Sequence, residues 1–504
     1  MHVKEPLVIG IDVGTGGVRV LAVNATGDVA AQAVVEHELL LPRPGWTEQR
    51  PEDWWSGAAT ALRHVTEQLG ERAKHIVAVG LTGQMHGSVF LDAQGEVIRP
   101  ALLWNDQRTA AECSEITERV GLERLLQIAG NPAMTGFTAP KILWLRNHEP
   151  ENFARVAKVI LPKDYVRYRL TGALATDLAD ASGTLLVHVA ERRWATEILE
   201  ALDLDPGLLP DLFEGTEITG RVHREAALAT GLPEGIPVVA GGGDQAAGAI
   251  GLGLVDEGRV SCSVGTSGVV FAASNQPVVH PAGKLHAFCH CVPDRWHVMG
   301  VMLSAGGALR WFRDQLASGM SYDAITAEAA EVSPGADGLL FLPYLTGERT
   351  PHADPHARGA FIGLGVHHGR KHMARAVLEG ITLGLADSVA LIRALDIPVP
   401  ELRITGGGAR SGFWSKLMAT VFEAPVIRMA VDEGPAFGAA ILAAVGAGVY
   451  ADAQTACGNM VKTADTIEPD SALTGTYREL HQLYQRAYTQ LRDFFPALAN
   501  VQSS

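Results

Sequence analysis

The sequence has little cysteine, no long hydrophobic run and no excess of positive charge. Five cysteines among 504 residues are too few for a disulfide framework at this length. The most apolar run, residues 437–451, is shorter than the ~20 residues of a membrane-spanning helix. A formal net charge of −15 argues against nucleic acid or an anionic membrane as a partner. Charged side chains interrupt residues 1–20, unlike a signal peptide, so we expect a cytoplasmic protein.

A metal site is only weakly suggested, by the run FCHCVPDRWH at residues 288–297. It holds Cys289, His290 and Cys291 in a C-x-C spacing that is uncommon for zinc. Alternation in the same run is typical of a half-buried strand. We therefore predict a strand there rather than a metal centre.

A long-period repeat organises the chain, which is too long for a single core. The first copy of a strand–turn–strand pattern reads IGIDVGTGGV (9–18), and the second reads VSCSVGTSGV (260–269). Each copy is followed by a strand, three glycines and a helix, at residues 236–251 and 402–418. Four matched elements in one order predict two duplicated α/β domains with a ligand cleft between them.

The two G-T-x-G turns have the composition of phosphate-binding turns. Backbone N–H groups in such turns form concavities for oxyanions, and the hydroxyls of Thr15, Thr266 and Ser267 add donors. Asp12 beside the first turn would repel phosphate, so it implies Mg²⁺ between them. The alternative is a tight hairpin turn whose aspartate satisfies only local N–H groups. The second copy of the turn favours the phosphate interpretation.

Asp244 directly follows the first triple glycine, whereas Ala409 occupies the matching place in the second copy. Phosphoryl transfer needs alignment, charge neutralisation and a carboxylate that accepts the hydroxyl proton. The alternative is that Asp244 caps the N-terminus of a helix. Both roles are compatible, because a cap leaves one carboxylate oxygen free.

A third group combines aromatic and polar side chains at two strand ends. Gln84, Met85 and His86 follow a buried strand, and the run 104–108 (Trp, Asn, Asp, Gln, Arg) follows another. Such a set suits a polyol, whose C–H faces stack on rings while its hydroxyls form hydrogen bonds. Each of these residues taken singly is more often structural. Their shared position, in the same half as Asp244, favours a sugar site.

The chain resembles the FGGY family of carbohydrate kinases, and within it the branch that phosphorylates xylulose. The resemblance rests on motifs spread over nearly the whole chain, at residues 9–19, 45–55, 83–87, 102–108, 136–148, 161–172, 241–249, 263–268, 341–352 and 406–414. It implies an actin-like (ribonuclease-H-like) fold, ATP and Mg²⁺ as cofactors, and transfer of the γ-phosphoryl group to the 5-hydroxyl of D-xylulose.

The resemblance also implies roles for single residues. Asp244 is the expected catalytic base and Asp12 the expected metal ligand. The expected sugar contacts are Met85, His86, Trp104, Asn105, Asp106, Asp244 and Gln245. The expected ATP contacts are Gly14, Thr15, Gly16, Gly17, Arg19, Gly265, Thr266, Ser267, Gly407, Gly408, Ala409 and Ser411. Gln245 stands where several relatives have Asn, and Gly16 stands where a Ser is frequent.

We place the N-terminal domain at residues 1–252 and the C-terminal domain at 253–504, with the crossover at 251–258. Helices are predicted at 50–71, at 368–395 as a long amphipathic helix, and at 475–495 as a terminal helix packed on the body. A homodimer is one option for assembly. Two alternative functions stay open, a kinase for another ketopentose or polyol such as ribulose, and an actin- or chaperone-like ATP-driven switch.

Overall fold

Two seven-stranded mixed sheets form the framework of this computed structural model, which describes residues 5–430 and 433–501, without the side chains of 499–501. The first sheet comprises β1 (Leu7–Val13), β2 (Gly17–Asn24), β3 (Val29–Glu36), β4 (Ile76–Gly83), β5 (Ile218–Arg221), β6 (Pro237–Val239) and β7 (Gly242–Gly243). The second comprises β8 (Arg259–Val264), β9 (Gly268–Ser274), β10 (His286–Cys289), β11 (Trp296–Met302), β12 (Glu401–Gly406), β13 (Val426–Met429) and β14 (Thr463–Ile467).

Helices cover both sheets, and short two-stranded ribbons lie in the connecting segments. The helices are α1 (Pro51–Leu69), α2 (Ala110–Val120), α3 (Leu122–Ala129), α4 (Thr138–His148), α5 (Pro150–Phe153), α6 (Pro162–Thr171), α7 (Leu178–Ser182), α8 (Thr196–Ala201), α9 (Arg224–Thr230), α10 (Asp244–Gly251), α11 (Gly306–Leu316), α12 (Tyr322–Ala330), α13 (Arg370–Arg393), α14 (Gly412–Phe422), α15 (Gly434–Gly446), α16 (Ala453–Met460), α17 (Thr474–Leu491) and α18 (Phe494–Val501). The ribbons pair Glu48–Gln49 with Ala101–Leu102, Val89–Leu91 with Lys158–Ile160, Ala175–Asp177 with Asp211–Phe213, Val187–His188 with Arg193–Trp194, and Leu340–Leu342 with Ala360–Ile362.

The two sheets share one pattern around a central strand. In the first sheet, in the order β5-β6-β4-β1-β2-β3 with β7 beside β4, β1 is antiparallel to β2 and parallel to β4. In the second, in the order β10-β11-β9-β8-β12-β13-β14, β8 is antiparallel to β9 and parallel to β12. The predicted duplication of an α/β domain is therefore confirmed. Both turns follow the carboxyl end of the central strand, the edge at which open α/β sheets bind ligands.

The two turns differ in length, although their sequences align without a gap. Val13 pairs with Val18 across the first hairpin, so the turn comprises residues 14–17. Val264 pairs with Gly268 across the second hairpin, which leaves residues 265–267. The second turn is thus one residue shorter, and the two cannot present identical sets of N–H groups.

Helix α15 packs on the first sheet, although it lies near the end of the chain. Phe437 and Ile441 belong to one buried cluster with Val8 and Leu21. The approach is close at Gly10, where a Cβ atom would lie 1.9 Å from the carbonyl oxygen of Ala436. The most apolar run of the sequence is therefore an interior helix. Among the described residues, no helix is long and apolar enough to cross a bilayer.

Three local expectations need correction. Helix α13 is buried on all sides from Ala374 to Val389, so it is a core helix rather than an amphipathic one. Strand β10 is buried throughout rather than half-buried, because Phe288 packs with residues of the first half while Ala287 packs in the second core. The terminal helix ends at Leu491, and a separate helix, α18, follows.

Candidate active site

Asp244 stands at the start of α10, immediately after the short strand β7. Gly242 and Gly243 pair in parallel with Thr82 and Gly83 at the end of β4, which fixes where the helix begins. Gly243 is the N-cap and Asp244 is the first helical residue, with no capping bond from a side chain. The interpretation of Asp244 as a helix cap is therefore wrong. The position of the second copy that matches Asp244 is Ala409, and its local structure differs. Ala409 lies in a 3₁₀ turn, Gly407–Arg410, ahead of α14.

The Asp244 carboxylate is half-buried and accepts few hydrogen bonds from the protein. Gln245 Nε2 donates to Asp244 Oδ1 at 3.3 Å, and no Lys or Arg forms an ion pair with Asp244 in the part of the chain that the structure describes. Burial raises the pKa of Asp244 to about 6, against the opposing effect of the Gln245 bonds. The carboxylate is therefore charged at pH 7 and able to accept a proton.

Asp12 is the second carboxylate of the cleft. Its Oδ1 atom is buried without a hydrogen-bond partner. Burial and the nearby charge of Asp244 raise its pKa to about 7, and Arg19 opposes them. An unpaired carboxylate oxygen beside a like charge fits a divalent cation, and Mg²⁺ commonly takes one or two carboxylates together with phosphate oxygens and water. The described residues contain no cluster of three or more metal-ligating side chains.

Arg19 lies across the sheet from Asp12, with which it pairs in register. Its guanidinium forms an ion pair with Glu433 and donates to Gln32 Oε1 at 3.0 Å. Because these partners occupy it, its contact with ATP stays a prediction.

One cavity is lined by residues of both halves, and another lies within the second half. The first, which we call the cleft cavity, has a volume of about 240 Å³ and is lined by Asp244, Gln245, Ser263, Thr405 and Glu433, among others. The second, which we call the β8–β12 cavity, has about 520 Å³. It brings together five residues expected to contact ATP, namely Gly265, Thr266, Gly407, Gly408 and Ser411. Ser267 is exposed at the turn tip, while Ala409 packs against the hydrophobic core instead of lining the cavity.

His86 adopts a left-handed backbone conformation, with φ of 68°, which is strained for a residue that is not glycine. Thr138 Oγ1 and Lys141 Nζ both donate to the His86 carbonyl oxygen, at 3.1 and 2.9 Å. Lys141 also donates to the Gly136 carbonyl oxygen at 2.5 Å. The start of α4 therefore holds the strained residue in place.

The imidazole of His86 is oriented by a single bond, from Nδ1–H to the Gly183 carbonyl oxygen at 2.6 Å. Burial and the Lys141 charge lower its pKa to about 3, so the ring is neutral. With the proton on Nδ1, Nε2 is left as an acceptor. Met85 is buried beside it, and a side chain at Gly243 would meet the Met85 Cγ atom at 2.7 Å.

Residues 104–106 each form different hydrogen bonds with the rest of the protein. Trp104 is 42% exposed, and its Nε1 donates to Thr15 Oγ1 at 2.9 Å. Asn105 Oδ1 accepts from Thr47 Oγ1 at 2.7 Å. Asp106 is wholly buried, accepts the Thr47 N–H and forms an ion pair with Arg108, both at 2.7 Å. Asp106 thus organises the loop, and its contact with a sugar stays a prediction.

Several residues near the site were not assigned a role from the sequence. Lys163 is fully buried and pairs with Asp164 and Asp177 at 2.6 Å and with Asp180 at 3.3 Å. This cluster underlies the site, because a Cβ atom at Gly243 would lie 3.3 Å from Asp180 Oδ1. The only signal was membership of the motif at residues 161–172, which does not reveal what the lysine contacts.

Arg349 comes from the other half of the chain, in the motif at residues 341–352. Burial is the main cause that lowers the pKa of both His86 and His286, and the charge of Arg349 adds to it at both residues. The loop therefore contributes a positive charge on the predicted sugar side. Sequence alone gave this motif no physical role.

Comparison with known proteins assigns the two halves to one family. The N-terminal domain model of the FGGY family of carbohydrate kinases matches residues 7–251, and the C-terminal domain model matches residues 260–447. Xylulose kinase of Escherichia coli (strain K12) is 43% identical over 96% of this chain and 99% of its own length. Gluconokinase of Bacillus subtilis (strain 168) is 30% identical over 96% of this chain and 98% of its own. The crystal structure of xylulose kinase from Rhodospirillum rubrum superposes with a TM-score of 0.92, at 32% identity, covering 97% of this chain and 99% of that one. The predicted fold class, two duplicated actin-like domains, is confirmed.

Proposed function

Since the chain belongs to the FGGY family of carbohydrate kinases, we propose that it transfers the γ-phosphoryl group of ATP to the 5-hydroxyl of D-xylulose. The observation that carries the proposal is the half-buried Asp244 carboxylate, which lines the cleft cavity at the start of α10. Relatives named xylulose kinase, 43% and 39% identical over nearly the whole chain, supply the substrate.

Asp244 acts as the base in this proposal. The 5-hydroxyl proton passes to Asp244, the O5–phosphorus bond forms, and the bond between the γ-phosphorus and ADP breaks. His86 Nε2 accepts a hydrogen bond from a ketose hydroxyl, while Met85 packs against the carbon chain. Gln245 holds the carboxylate through its bond to Oδ1.

The nucleotide binds along the second half in this proposal. The β8–β12 cavity takes the adenosine, and the two turns take the phosphates through backbone N–H groups. Asp12 would hold Mg²⁺, which when bound neutralises phosphate charge. The cytoplasmic location and the homodimer stay predictions.

A coupled ADP-release assay over a panel of acceptors tests the function. We expect turnover with D-xylulose to exceed turnover with ribulose, glycerol and gluconate by at least about tenfold. Gluconate belongs in the panel because a relative at 30% identity is named gluconokinase. Preference for another acceptor contradicts the xylulose assignment. ATP hydrolysis that no acceptor stimulates contradicts the kinase and favours the ATP-driven switch.

A further inference from the structure

A chain of hydrogen bonds joins the first phosphate turn to the predicted sugar wall. Thr15 Oγ1 lies 2.9 Å from Trp104 Nε1 and 3.0 Å from Gln84 Oε1. Gln84 Nε2 lies 2.9 Å from Gln49 Oε1, and Trp54 Nε1 reaches the same Gln49 oxygen at 3.0 Å. We call these five side chains the Thr15 relay.

The direction of every bond in the Thr15 relay is fixed by its two indoles, because an indole N–H only donates. Trp54 donates to Gln49 Oε1, so the Gln84 group beside that oxygen must be the Nε2 donor and Gln84 Oε1 must face Thr15. Gln49 Nε2 donates to the Thr15 carbonyl oxygen at 2.7 Å, which requires the same orientation. Trp104 donates to Thr15 Oγ1. The single hydroxyl proton of Thr15 is therefore given to Gln84.

This arrangement withholds the Thr15 proton from a phosphate at the turn. Gln84 is 2% exposed, and Gln49 and Trp54 are fully buried, so bulk water does not compete for the inner hydrogen bonds of the Thr15 relay. If the Thr15 hydroxyl stopped donating to Gln84 Oε1, this buried oxygen would lack a hydrogen bond, which costs free energy. The exposed end of the relay is Trp104, whose ring belongs to the predicted sugar wall.

We propose that the Thr15 relay couples the sugar subsite to the phosphate turn. A ketose stacked on the Trp104 ring draws its indole N–H away from Thr15. A ketose hydroxyl beside Met85 replaces Thr15 as the donor to the adjacent Gln84. The Thr15 hydroxyl then turns its proton to the terminal phosphate. Thr15, Gln84 and Trp104 are positioning residues in this scheme, which rests on the proposed function because it needs both ketose and ATP.

Calorimetry on the full chain gives the dissociation constant of a non-hydrolysable ATP analogue. The coupling is the constant measured without D-xylulose divided by the constant measured with saturating D-xylulose. We expect the wild-type ratio to exceed one. Trp104→Phe keeps the ring and removes the N–H group, and Thr15→Val removes the hydroxyl. Each should lower the ratio by about 2- to 10-fold, the factor that one neutral hydrogen bond represents. Thr15→Ser restores the hydroxyl and should keep the wild-type ratio.

Trp194→Phe is the matched control, because the Trp194 indole donates to the Pro210 carbonyl oxygen at 2.9 Å, outside the Thr15 relay. It should keep the wild-type ratio, and melting temperatures identify any variant that fails to fold. Should Thr15→Val not fold, Trp104→Phe decides alone, because its ring is at the surface.

The outcomes separate the relay from the function. If Trp104→Phe phosphorylates xylulose and keeps the wild-type ratio, the relay is overturned and the kinase stands. If the wild type prefers another acceptor, the xylulose assignment is overturned, and the ratio is measured with that acceptor. If no acceptor is phosphorylated, both proposals are overturned.

Discussion

Asp12 and Asp244 are both carboxylates of the cleft, and their surroundings give them different tasks. Asp12 has a buried oxygen without a hydrogen bond, which suits a site for a cation. The Asp244 carboxylate accepts a hydrogen bond from the Gln245 amide and lies at the start of a helix that lines the cleft cavity. The difference follows from position, because the two side chains are chemically identical.

Replacing the proposed base tests its role directly. Asp244→Asn keeps the shape of the side chain but cannot accept a proton, so we expect kcat to fall by about 10²- to 10⁴-fold. Binding of the ATP analogue should change little. Initial-rate kinetics and calorimetry provide the two measurements. Asp203→Asn is the control, because the Asp203 side chain is exposed and only pairs with Arg119. Turnover within a factor of about two of wild type would contradict the assignment of the base.

Acid should inactivate the enzyme through the same residue. Burial raises the pKa of Asp244 to about 6, so its charged form is lost as the pH falls through that value. With Mg²⁺ and ATP saturating, so that the proposed metal keeps Asp12 charged, we expect kcat/KM for the ketose to be level above about pH 7 and to fall tenfold per unit well below pH 6. Initial rates between pH 5 and 8 at constant ionic strength measure this, with the circular dichroism signal at each pH as the control for folding. A level profile down to pH 5 would count against a base with this pKa.

The predictive value of the sequence was highest for single residues in repeated patterns. The triple glycine and its following helix pointed to Asp244 at the cleft, and the structure puts it there. The contacts of Gln49 and Lys141 cannot be predicted from the sequence, because their partners are far away in the chain. Gln49 contacts the turn at Thr15, and Lys141 contacts the carbonyl group of His86. A lone glutamine or lysine carries no sequence signal for such contacts.

At the scale of elements, helix α4 acts as a support for the strained turn after β4. Its first residues supply Thr138 and Lys141, whose donors converge on the His86 carbonyl oxygen. Burial lowers the pKa of Lys141 to about 7, so the amine is held there at the cost of its hydration. The left-handed conformation of His86 is stabilised from outside its own turn, which is how strained residues persist at binding sites.

Removing this support should weaken ketose binding. Lys141→Met keeps the length of the side chain and deletes both hydrogen bonds, so His86 loses part of what fixes its position. We expect KM for the ketose to rise by about 10-fold while KM for ATP changes less than about twofold. Steady-state kinetics with each substrate varied in turn measures the two values.

Lys158→Met is the matched control, because the Lys158 amine also donates to two carbonyl oxygens, those of Gly207 and Leu209, away from His86. It should leave both KM values unchanged. An equal rise of both KM values in Lys141→Met would show a general disturbance of the fold instead.

At the scale of the whole molecule, helix α15 packs a late segment of the chain against the first sheet. It packs on β1 and β4 of the first sheet and against α10, the helix that starts with Asp244. The sequence revealed the apolar run that forms α15 but not where it packs, since a run of alanine and glycine fits any close interface. Small residues on both sides of the contact allow backbones to touch, at Gly10 of β1 and at Gly438 of α15.

Gly438 is the point at which α15 approaches α10 most closely. A Cβ atom there would lie 1.7 Å from the carbonyl oxygen of Ala247, and backbone cannot give way as a flexible side chain does. Gly438→Ala must therefore separate the two helices, and we expect about 1–3 kcal/mol lower stability together with reduced kcat, because Asp244 moves with α10. Gly458→Ala in α16 meets nothing within 4 Å and is the control. Denaturant unfolding and steady-state kinetics provide the readouts, and a Gly438→Ala variant as stable and active as Gly458→Ala would contradict this account of α15.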